Sequence, residues 1–347
     1  MFRKRILFHI IVLILALVVI GCSALGTPDT SAEPTGAAPQ VEQTPTPAQP
    51  TSESTPIPAP SDPDVPEAAA QSFDTDFSKR TVSFEEITRV LPKGRIPAID
   101  EPQFTGVDGA DGWLDDKEPV LAVEIDGAAR AYPVQILMWH EIVNDELAGV
   151  PVAVPYCPLC NTGILFERAV DLEIDGGETR VLDFGTTGRL RYSNLIMYDR
   201  QTETWWQQAS GEAIAGTLTG EELTFLPSSM IAWADFKSEH PEGEVLSRET
   251  GYERDYGQNP YVGYDDPERE PFLYDGPATP DELPQMGRVL GVELGGEAVA
   301  FPYDVLEDVR VANEVVGGEP IAVFWQPGTA SALDSSSIAQ GDDVGAA

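Results

Sequence analysis

The sequence predicts a β-rich α+β fold that contains two related tandem units. Displacing the chain by 169 residues aligns Val120–Pro158 with Val289–Pro327 without a gap, and 15 of the 39 aligned positions are identical. Composition alone would give roughly two or three identities over that length. Short apolar runs between glycine and aspartate turns predict strands, and few segments have helical spacing. A duplication keeps a fold constant, so positions at which the copies differ point to chemistry.

The first unit begins with a predicted hairpin and a predicted helix. Val120–Ile125 is an apolar strand, Asp126-Gly127 is a two-residue turn, and Ala129–Tyr132 is the return strand. Apolar residues then recur at helical spacing, which predicts a short helix over Val134–Val143. This helix leads directly into the next strand of the unit.

Further strands and one further helix are predicted before the second unit. The predicted strands are Pro151–Tyr156, Ile164–Arg168, Arg180–Gly185, Leu195–Tyr198, Thr204–Gln207 and Leu223–Leu226. Ser228–Ser238 is predicted as a helix that Ser228 caps, and Gly257–Pro284 as an ordered loop between the units. The second unit repeats the pattern, with a turn at Gly295-Gly296 and a helix over Tyr303–Val311. Its acidic tail, Asp334–Ala347, has the composition of a disordered end.

The N-terminus predicts export and lipidation. Arg3, Lys4 and Arg5 precede the uncharged apolar run Ile6–Ile20, which is followed by Gly21 and Cys22. Such a run is short for a membrane-spanning helix, so it predicts a lipoprotein signal peptide with Cys22 as the lipidated first residue. An uncleaved anchor helix is the alternative. Both interpretations place the rest of the chain outside the cytoplasm, attached to the cell membrane.

Composition divides the remainder into three segments. Residues 23–72 are rich in Pro, Thr and Ser, which predicts a disordered tether after the signal peptide of residues 1–22. Residues 73–255 are predicted as the first repeat domain, and residues 256–347 as the linker loop with a partial second repeat. The chain carries 58 acidic and 21 basic residues, a net charge of −37. This charge excludes nucleic acid as a favourable partner and is typical of a solvated acidic surface.

The chemistry of the mature chain concentrates in Cys157-Pro158-Leu159-Cys160. In the second unit these cysteines are replaced by Gln326 and Thr329, and His140 by Val309. Two cysteines three residues apart can form a disulfide or present two thiolates to a metal. The motif lies between two predicted strands, which indicates a turn, and the absence of a following helical pattern argues against a thioredoxin fold.

Three interpretations of the cysteine pair remain open. The first is a redox-active dithiol, which suits an oxidising compartment and needs no cofactor. The second is a Zn or Cu site in which His140 joins Cys157 and Cys160, for metal binding or delivery. The third is a structural disulfide in a non-catalytic binding module, and so small a loop gives only about 2 kcal/mol of stabilisation on the chain-entropy model.

Three neighbouring side chains are candidate supporting residues. His140 lies on the predicted helix that precedes the cysteine strand, where a buried structural histidine is the alternative interpretation. Glu141 could orient His140 or face water. Tyr156 directly precedes the first cysteine and, together with His140, could expose and activate it.

Several motifs in order resemble a known prokaryotic family, the domain of unknown function 3179 family. They are Gly94-x-Ile96-Pro97-Ala98-Ile99-Asp100, Ala129-Arg130-Ala131-Tyr132-Pro133, Trp139-His140-Glu141-Ile142-Val143-Asn144-Asp145, Tyr156-Cys157-Pro158-Leu159-Cys160-Asn161-Thr162-Gly163 and Met197-Tyr198-Asp199-Arg200. The resemblance is close over Lys93–Gly251 and looser in the second unit. It implies no established activity. Some members are described as selenoproteins with selenocysteine near this motif, which implies a redox-active position at Cys157 or Cys160. The family commonly has Gly after the second cysteine, where this chain has Asn161.

The leading hypothesis is therefore a lipid-anchored extracytoplasmic protein with a thiol–disulfide site in its first unit. Cys157 is expected to be the attacking thiolate, and Cys160 is expected to resolve the mixed disulfide. The expected partners are the membrane, through the N-terminal lipid, and a redox or metal-handling protein.

Overall fold

The computed structural model describes residues 71–172, 178–279 and 282–347. The predicted signal peptide, the lipidation residue Cys22 and nearly all of the predicted tether lie outside these residues. No helix in the three described ranges is long and apolar enough to cross a membrane.

Strands dominate the described residues, as the sequence predicts. The strands are β1 Ile87–Arg89, β2 Phe104–Gly106, β3 Pro119–Ile125, β4 Ala128–Pro133, β5 Ile142–Leu147, β6 Val150–Cys157, β7 Thr162–Gly163, β8 Leu165–Glu167, β9 Ala169–Leu172, β10 Glu178–Val181, β11 Phe184–Arg191, β12 Asn194–Asp199, β13 Trp205–Gln207, β14 Ala213–Ala215, β15 Phe225–Leu226, β16 Ser229–Ala232, β17 Glu244–Leu246, β18 Val289–Leu294, β19 Glu297–Pro302, β20 Val311–Val316 and β21 Glu319–Phe324. The α-helices are α1 Val107–Ala110, α2 Val134–His140, α3 Trp233–Glu239 and α4 Tyr303–Val309, and 3₁₀ turns lie at Phe84–Glu86 and Ile338–Gln340.

Three five-stranded sheets form the body of the fold. One has the order β16-β3-β4-β17-β2, in which β17 runs parallel to β4 and the other pairs are antiparallel. The second, which we call the cysteine sheet, has the order β15-β8-β6-β5 with β7 paired to β6. The third has the order β1-β11-β12-β13-β14. The cysteine sheet lies between two apolar clusters, because Val152 and Val154 belong to one cluster and Ala153 and Cys157 to the other.

Helix α2 is shorter than the sequence predicts. It ends at His140, because Glu141 adopts the left-handed conformation (φ 58°) and donates its backbone N–H to Leu137 O at 2.6 Å. Ile142 and Val143 then belong to β5, where Ile142 pairs with Pro155. The prediction that the helix extends to Val143 was wrong, because these β-branched residues continue the helical spacing but pair as a strand.

The predicted helix over Ser228–Ser238 was wrong in its first part. Residues Ser229–Ala232 form β16, which pairs with β3, and α3 begins at Trp233. The pairing of Ile231 with Val120 places an apolar residue beside the buried edge of β3. Tertiary pairing therefore overrides the local helical pattern at this position.

The elements of the first unit, β3 to β6, recur 169 residues later as β18, β19, α4, β20 and β21. Val289 pairs with Pro302 as Val120 pairs with Pro133. Arg310 ends α4 with a φ of 63°, as Glu141 ends α2. The predicted turn at Gly295-Gly296 is confirmed by positive φ angles at both glycines, and helix α4 ends at Val309 rather than at Val311.

The two units differ in the strands that flank their hairpins. β3 and β4 are flanked by β16 and β17. By contrast, β18 pairs with β19 alone and β20 with β21 alone among the described strands. Side chains along β18 consequently alternate between exposed and half-buried, whereas the first three residues of β3 are all buried.

The tail after Asp334 is packed, so the prediction of a disordered end was wrong. Ile338 is fully buried and lies in the same apolar cluster as Leu121 and Val154. The carboxylate of Asp334 accepts the backbone N–H of Asp342 at 2.6 Å. Composition missed this order because isolated apolar residues anchor the tail and its aspartates accept backbone hydrogen bonds.

Candidate dithiol site

The cysteine motif forms the turn of a tight hairpin between β6 and β7. Cys157 pairs with Thr162, and the backbone N–H of Asn161 donates to Pro158 O at 3.3 Å. Asn161 adopts a left-handed conformation (φ 45°), which asparagine tolerates better than most residues. The predicted turn between two strands is therefore confirmed, and strand β7 follows Cys160 directly.

The two thiols have opposite environments. Cys157 is 1% exposed and lies in an apolar cluster with Phe166, Phe184 and Trp206, whereas Cys160 is exposed. The side chain of Cys157 is the last of β6 and points into the protein, where its Sγ donates weakly to Ser193 O at 3.7 Å. This arrangement is the reverse of the expectation that Tyr156 and His140 expose Cys157.

A cluster of buried side-chain amides contacts Cys160 through Asn194. Asn194 Nδ2 donates to Cys160 Sγ at 3.1 Å and to Gln208 Oε1 at 2.7 Å. Gln208 Nε2 donates in turn to Thr162 O at 3.0 Å, and Gln207 Nε2 donates to Asn194 Oδ1. Within this amide cluster (Asn194, Gln207 and Gln208) the Asn194 amide is hydrogen-bonded to both of its neighbours, so a donor points at the sulfur that carries negative charge after ionisation.

The environments move the pKa values of the two thiols in opposite directions. A hydrogen bond from Cys157 lowers the pKa of Cys160 to about 7, with help from Thr162 and Asn194. Desolvation by the protein atoms around the sulfur opposes this effect, although the residue as a whole is exposed. Burial raises the pKa of Cys157 well above its ordinary value, and the hydrogen bond and charge of Cys160 add to that effect. Cys160 therefore ionises first, and its thiolate keeps Cys157 protonated.

Glu141 is a buried carboxyl group beside this pair. Its side chain is 9% exposed, and burial raises its pKa to about 8, with a further contribution from the negative charge of Cys160. Glu141 also holds the local backbone, because its carbonyl accepts the N–H of Tyr156 at 2.8 Å. A carboxyl group that titrates near neutrality next to a thiol can exchange a proton with it.

Tyr156 and Asn161 connect the turn to the second unit. Tyr156 is fully buried. With the Asn161 amide oriented to satisfy both of its groups, its nitrogen donates to Tyr156 OH at 2.8 Å and its oxygen accepts from Arg288 Nη1 at 2.7 Å. Arg288 directly precedes β18, so a residue at the start of the second unit fixes the residue that follows Cys160. The Tyr156 hydroxyl therefore contacts the turn through Asn161.

His140 is buried, and both of its ring nitrogens are hydrogen-bonded. Its Nδ1 donates to Pro97 O at 2.8 Å, and its Nε2 accepts from Tyr256 OH at 2.7 Å. Burial lowers its pKa, so the ring is neutral and both nitrogens are used. No hydrogen bond joins His140 to either cysteine among those that the described residues form.

The structure does not assemble the ligand set of the metal interpretation. Within the three described ranges, no three His, Cys, Asp or Glu side chains lie close enough together to hold a metal ion. Cys157 and Cys160 are adjacent, but His140 is engaged with Pro97 and Tyr256. Trp205 and Trp206 are fully buried, so neither offers an exposed aromatic surface to a ligand in the binding-module interpretation.

Sequence reasoning missed several residues that surround the dithiol. Burial raises the pKa of Tyr261, and the negative charges of Glu141 and Cys157 add to that effect, so Tyr261 lies close to the dithiol. Asn194, Gln208 and Arg288 are likewise more than 30 positions from the motif in the chain. The one feature of the local sequence that could have indicated these residues is the placement of amides within otherwise apolar strand sequences, because a buried amide requires a hydrogen-bond partner.

Comparison with known proteins places the chain in a family but assigns no activity. Residues 93–347 match the family described as protein of unknown function (DUF3179). No curated protein and no solved structure matches the chain. The chain therefore belongs to this family, as the motifs of the first unit predict.

Proposed function

We propose that this protein exchanges thiols and disulfides through Cys160 as the attacking thiolate and Cys157 as the resolving thiol. The difference between the two thiols carries the proposal: Cys160 is exposed with a pKa of about 7, and Cys157 is buried with a raised pKa. An attacking thiol needs access and thiolate character, and a resolving thiol needs only to reach its neighbour. The proposal reverses the roles that the sequence alone suggests.

The exchange proceeds in two balanced steps. The Cys160 thiolate attacks one sulfur of an external disulfide RS–SR, which forms a mixed disulfide with Cys160 and releases one RS⁻. Cys157 then loses its proton and attacks the sulfur of Cys160, which forms the Cys157–Cys160 disulfide and releases the second RS⁻. The protein loses two electrons and the external disulfide gains them, while the two thiol protons pass to the two released RS⁻ groups.

Glu141 has the position and pKa to handle the second proton. The carboxyl group is protonated below a pH of about 8 while Cys160 carries its charge. Once Cys160 is bonded to the substrate, the smaller contribution of that charge to the raised pKa of Glu141 is gone while the effect of burial remains. A larger fraction of Glu141 then releases its own proton to solvent, and the resulting carboxylate can accept the proton of Cys157. Glu141 thereby couples formation of the mixed disulfide to activation of the resolving thiol.

Two further parts of the proposal rest on the sequence. The predicted lipidation of Cys22 would attach the protein to the outer face of the cell membrane, where disulfides persist. The recurrence of β3 to β6 as β18 to β21 supports an internal duplication in which only the first copy carries the thiols.

Mixed-disulfide trapping tests the proposed roles. The reduced Cys157→Ser and Cys160→Ser variants are treated with the aromatic disulfide 5,5′-dithiobis(2-nitrobenzoate) at pH 7 under native conditions. We expect the Cys157→Ser variant to hold a stable mixed disulfide at Cys160 and the Cys160→Ser variant to react at least about tenfold more slowly, because its remaining thiol is buried and protonated.

The same preparations distinguish the alternatives. Reversible oxidation of the wild-type pair in a glutathione redox titration supports exchange, whereas a pair that never oxidises reversibly excludes it. Elemental analysis of the protein as purified tests the metal interpretation, which predicts stoichiometric zinc or copper that is lost in the Cys157→Ser variant.

A further inference from the structure

One edge of β21, in the second unit, has no strand beside it. β21 pairs with β20 on its other side, and no further strand among the described residues pairs with it. Pro320 has no N–H, so its pair with Val315 is not hydrogen-bonded, and at alternate positions Ala322 and Phe324 likewise direct their backbone groups away from β20. The backbone hydrogen bonds that the described residues form outside their strand pairs include none to these three residues.

The corresponding edge in the first unit is covered by a strand. At the offset of 169, the counterparts of Pro320, Ala322 and Phe324 are Pro151, Ala153 and Pro155 of β6. β8 lies antiparallel to this edge, where Phe166 pairs with Ala153. Proline does not prevent this pairing, because the Pro151 carbonyl accepts the backbone N–H of Arg168 at 2.8 Å.

The segment of the second unit that corresponds to β8 forms other contacts. At the same offset it is residues 334–336. The carbonyl of Asp334 accepts the backbone N–H of Gly263 at 2.7 Å, and the carbonyl of Ser336 accepts that of Asn259 at 2.9 Å. This segment therefore pairs with the loop between the units, and the edge of β21 stays open.

The outer face of the β20–β21 hairpin is apolar beside this edge. Val315 is 56% exposed and Phe324 is 65% exposed, and Pro320 and Ala322 are also exposed. The strand register places these four side chains on one face. Val315 stands where the first unit has Glu146, so the exposed copy is the more apolar at this position. An apolar face next to an unpaired strand edge marks an interaction surface.

The sequence around this edge is acidic. Residues 289–325 contain a single basic residue, Arg310, and seven acidic ones, which are Glu293, Glu297, Asp304, Glu307, Asp308, Glu314 and Glu319. A second copy of a chain with a net charge of −37 is repelled by this surface, whereas a basic segment is attracted to it. The charge therefore favours a basic partner over self-association.

We propose that the open edge of β21 binds an extended, basic segment of a partner polypeptide as an added antiparallel strand. The partner takes the place that β8 takes in the first unit, so its backbone N–H groups donate to the carbonyls of Pro320, Ala322 and Phe324. An apolar side chain at its centre, like that of Phe166 opposite Ala153, covers the exposed face beside Ala322. This inference is independent of the proposed thiol exchange.

A synthetic strand that copies β8 tests the inference. The probe is the fluorescein-labelled peptide Lys-Lys-Ile-Leu-Phe-Lys-Lys-amide, which keeps the sequence of Ile164–Phe166 between basic ends. Its anisotropy is titrated with the full-length protein at about 0.15 M salt, which screens long-range attraction. The control peptide differs only by a methyl group on the backbone nitrogen of phenylalanine. We expect saturable binding of the first peptide and at least about tenfold weaker binding of the second, because the central N–H donor is lost.

Three variants locate the bound strand. Ala322→Pro removes an N–H that β20 does not use, and Ala322→Lys adds a positive charge to an exposed position; we expect each to weaken binding at least about tenfold. Ala300→Pro is the matched control. Ala300 is exposed and lies two residues before Pro302 in β19, so its N–H is the outward group of the other hairpin, and we expect a change of less than about twofold.

Several results would overturn the inference. Equal binding of the two peptides would mean that charge attraction alone holds them. Binding that persists in both Ala322 variants, or no saturable binding up to about 1 mM, would also overturn it. Sedimentation of the protein alone as a dimer, with Ala322→Pro as a monomer, would assign the edge to a second copy instead. The Cys157→Ser variant should bind the peptide as the wild type does, since the edge contains neither cysteine.

Discussion

The two units of the chain share their local geometry but differ in burial and in chemistry. Each has two hairpins separated by a seven-residue helix, and each helix ends on a residue in the left-handed conformation. The first unit is enclosed by additional strands, whereas the hairpins of the second pair with no further described strand. The comparison indicates that local sequence specifies the hairpins, and that neighbouring strands decide which side chains are removed from water.

The difference is greatest at the positions of the dithiol. Cys157 is buried and its counterpart Gln326 is exposed, whereas Cys160 is exposed and its counterpart Thr329 is buried. Glu141 is buried and its counterpart Arg310 is exposed. The exposure pattern of one unit therefore cannot be transferred to the other, and the thiol environment belongs to the first unit alone.

The largest predicted difference between the two units is a pH dependence of the free energy of unfolding that arises from Glu141 in the first unit. Its folded pKa of about 8 exceeds the ordinary value of 4.5, so the folded protein keeps a proton that the unfolded chain releases. The contribution of the protonated Glu141 to the free energy of unfolding is therefore fully present below pH 4.5 and is lost as the pH rises towards 8. We expect Glu141→Gln to increase the free energy of unfolding by up to about 3 kcal/mol at pH 7 and by nothing near pH 4.

The matched control for this prediction is Arg310→Gln in the second unit. That residue is exposed and its guanidinium lies 4.3 Å from the Trp325 ring centroid, so we expect a loss below about 1 kcal/mol with no pH dependence. Denaturant unfolding from pH 4 to pH 8 measures both variants. Equal pH profiles for the two variants would contradict the assignment of a raised pKa to Glu141.

A transplant of the dithiol into the second unit tests whether its environment matters. In a Cys157→Ser, Cys160→Ser background, Gln326→Cys and Thr329→Cys place thiols at the corresponding positions. We expect the thiol at the exposed position 326 to react with iodoacetamide at pH 7 about tenfold more slowly than Cys160, since an ordinary thiol is only a few per cent ionised at that pH, and the thiol at the buried position 329 to react more slowly still. Equal reactivity at position 326 would mean that the amide cluster is not needed to activate a thiol.

Removal of one amide donor has a smaller expected effect. Asn194→Ala deletes the side chain that donates to Cys160 Sγ at 3.1 Å, so we expect the pKa of Cys160 to rise by about one unit. Thiolate absorbance near 240 nm, titrated below the onset of melting, measures this change. An unchanged titration curve would show that Asn194 does not stabilise the thiolate.

The smallest expected difference concerns the backbone that both units share. Arg310 has a φ of 63°, so Arg310→Gly relieves the strain of a left-handed non-glycine residue and we expect a gain of about 1 kcal/mol or less. Glu141→Gly relieves the same strain and also removes a buried carboxyl group, so its gain should depend on pH. Thermal unfolding at pH 4 and pH 8 distinguishes the two variants, and a pH-dependent gain in Arg310→Gly would contradict this account.

Local features of the fold could be predicted from the sequence. The turns at Asp126-Gly127 and Gly295-Gly296 follow from residues that tolerate positive φ, and the turn at the cysteine motif follows from the strands on either side of it. The end of α2 could not be predicted, because apolar residues at Ile142 and Val143 satisfy helical spacing as well as they satisfy a strand. Only the pairing of β5 with β6 decides between the two.

The chemistry of the candidate site could be predicted only in part. The sequence singles out Cys157, Cys160 and Glu141, and the structure places Glu141 close enough to Cys160 for their charges to interact. The sequence does not specify which thiol is exposed, because that depends on the apolar cluster into which the last side chain of β6 packs. Asn194 and Arg288 approach the turn from distant parts of the chain, which no local pattern reveals.

The ionisation order of the two thiols is the central claim. The direct measurement is the alkylation of reduced wild-type protein by iodoacetamide from pH 5 to pH 10, with the modified cysteine identified by peptide mass spectrometry. The account predicts that Cys160 is modified with a midpoint near pH 7, while Cys157 stays protected until the protein unfolds. Modification of Cys157 first, or a common midpoint near pH 9 for both thiols, would contradict it.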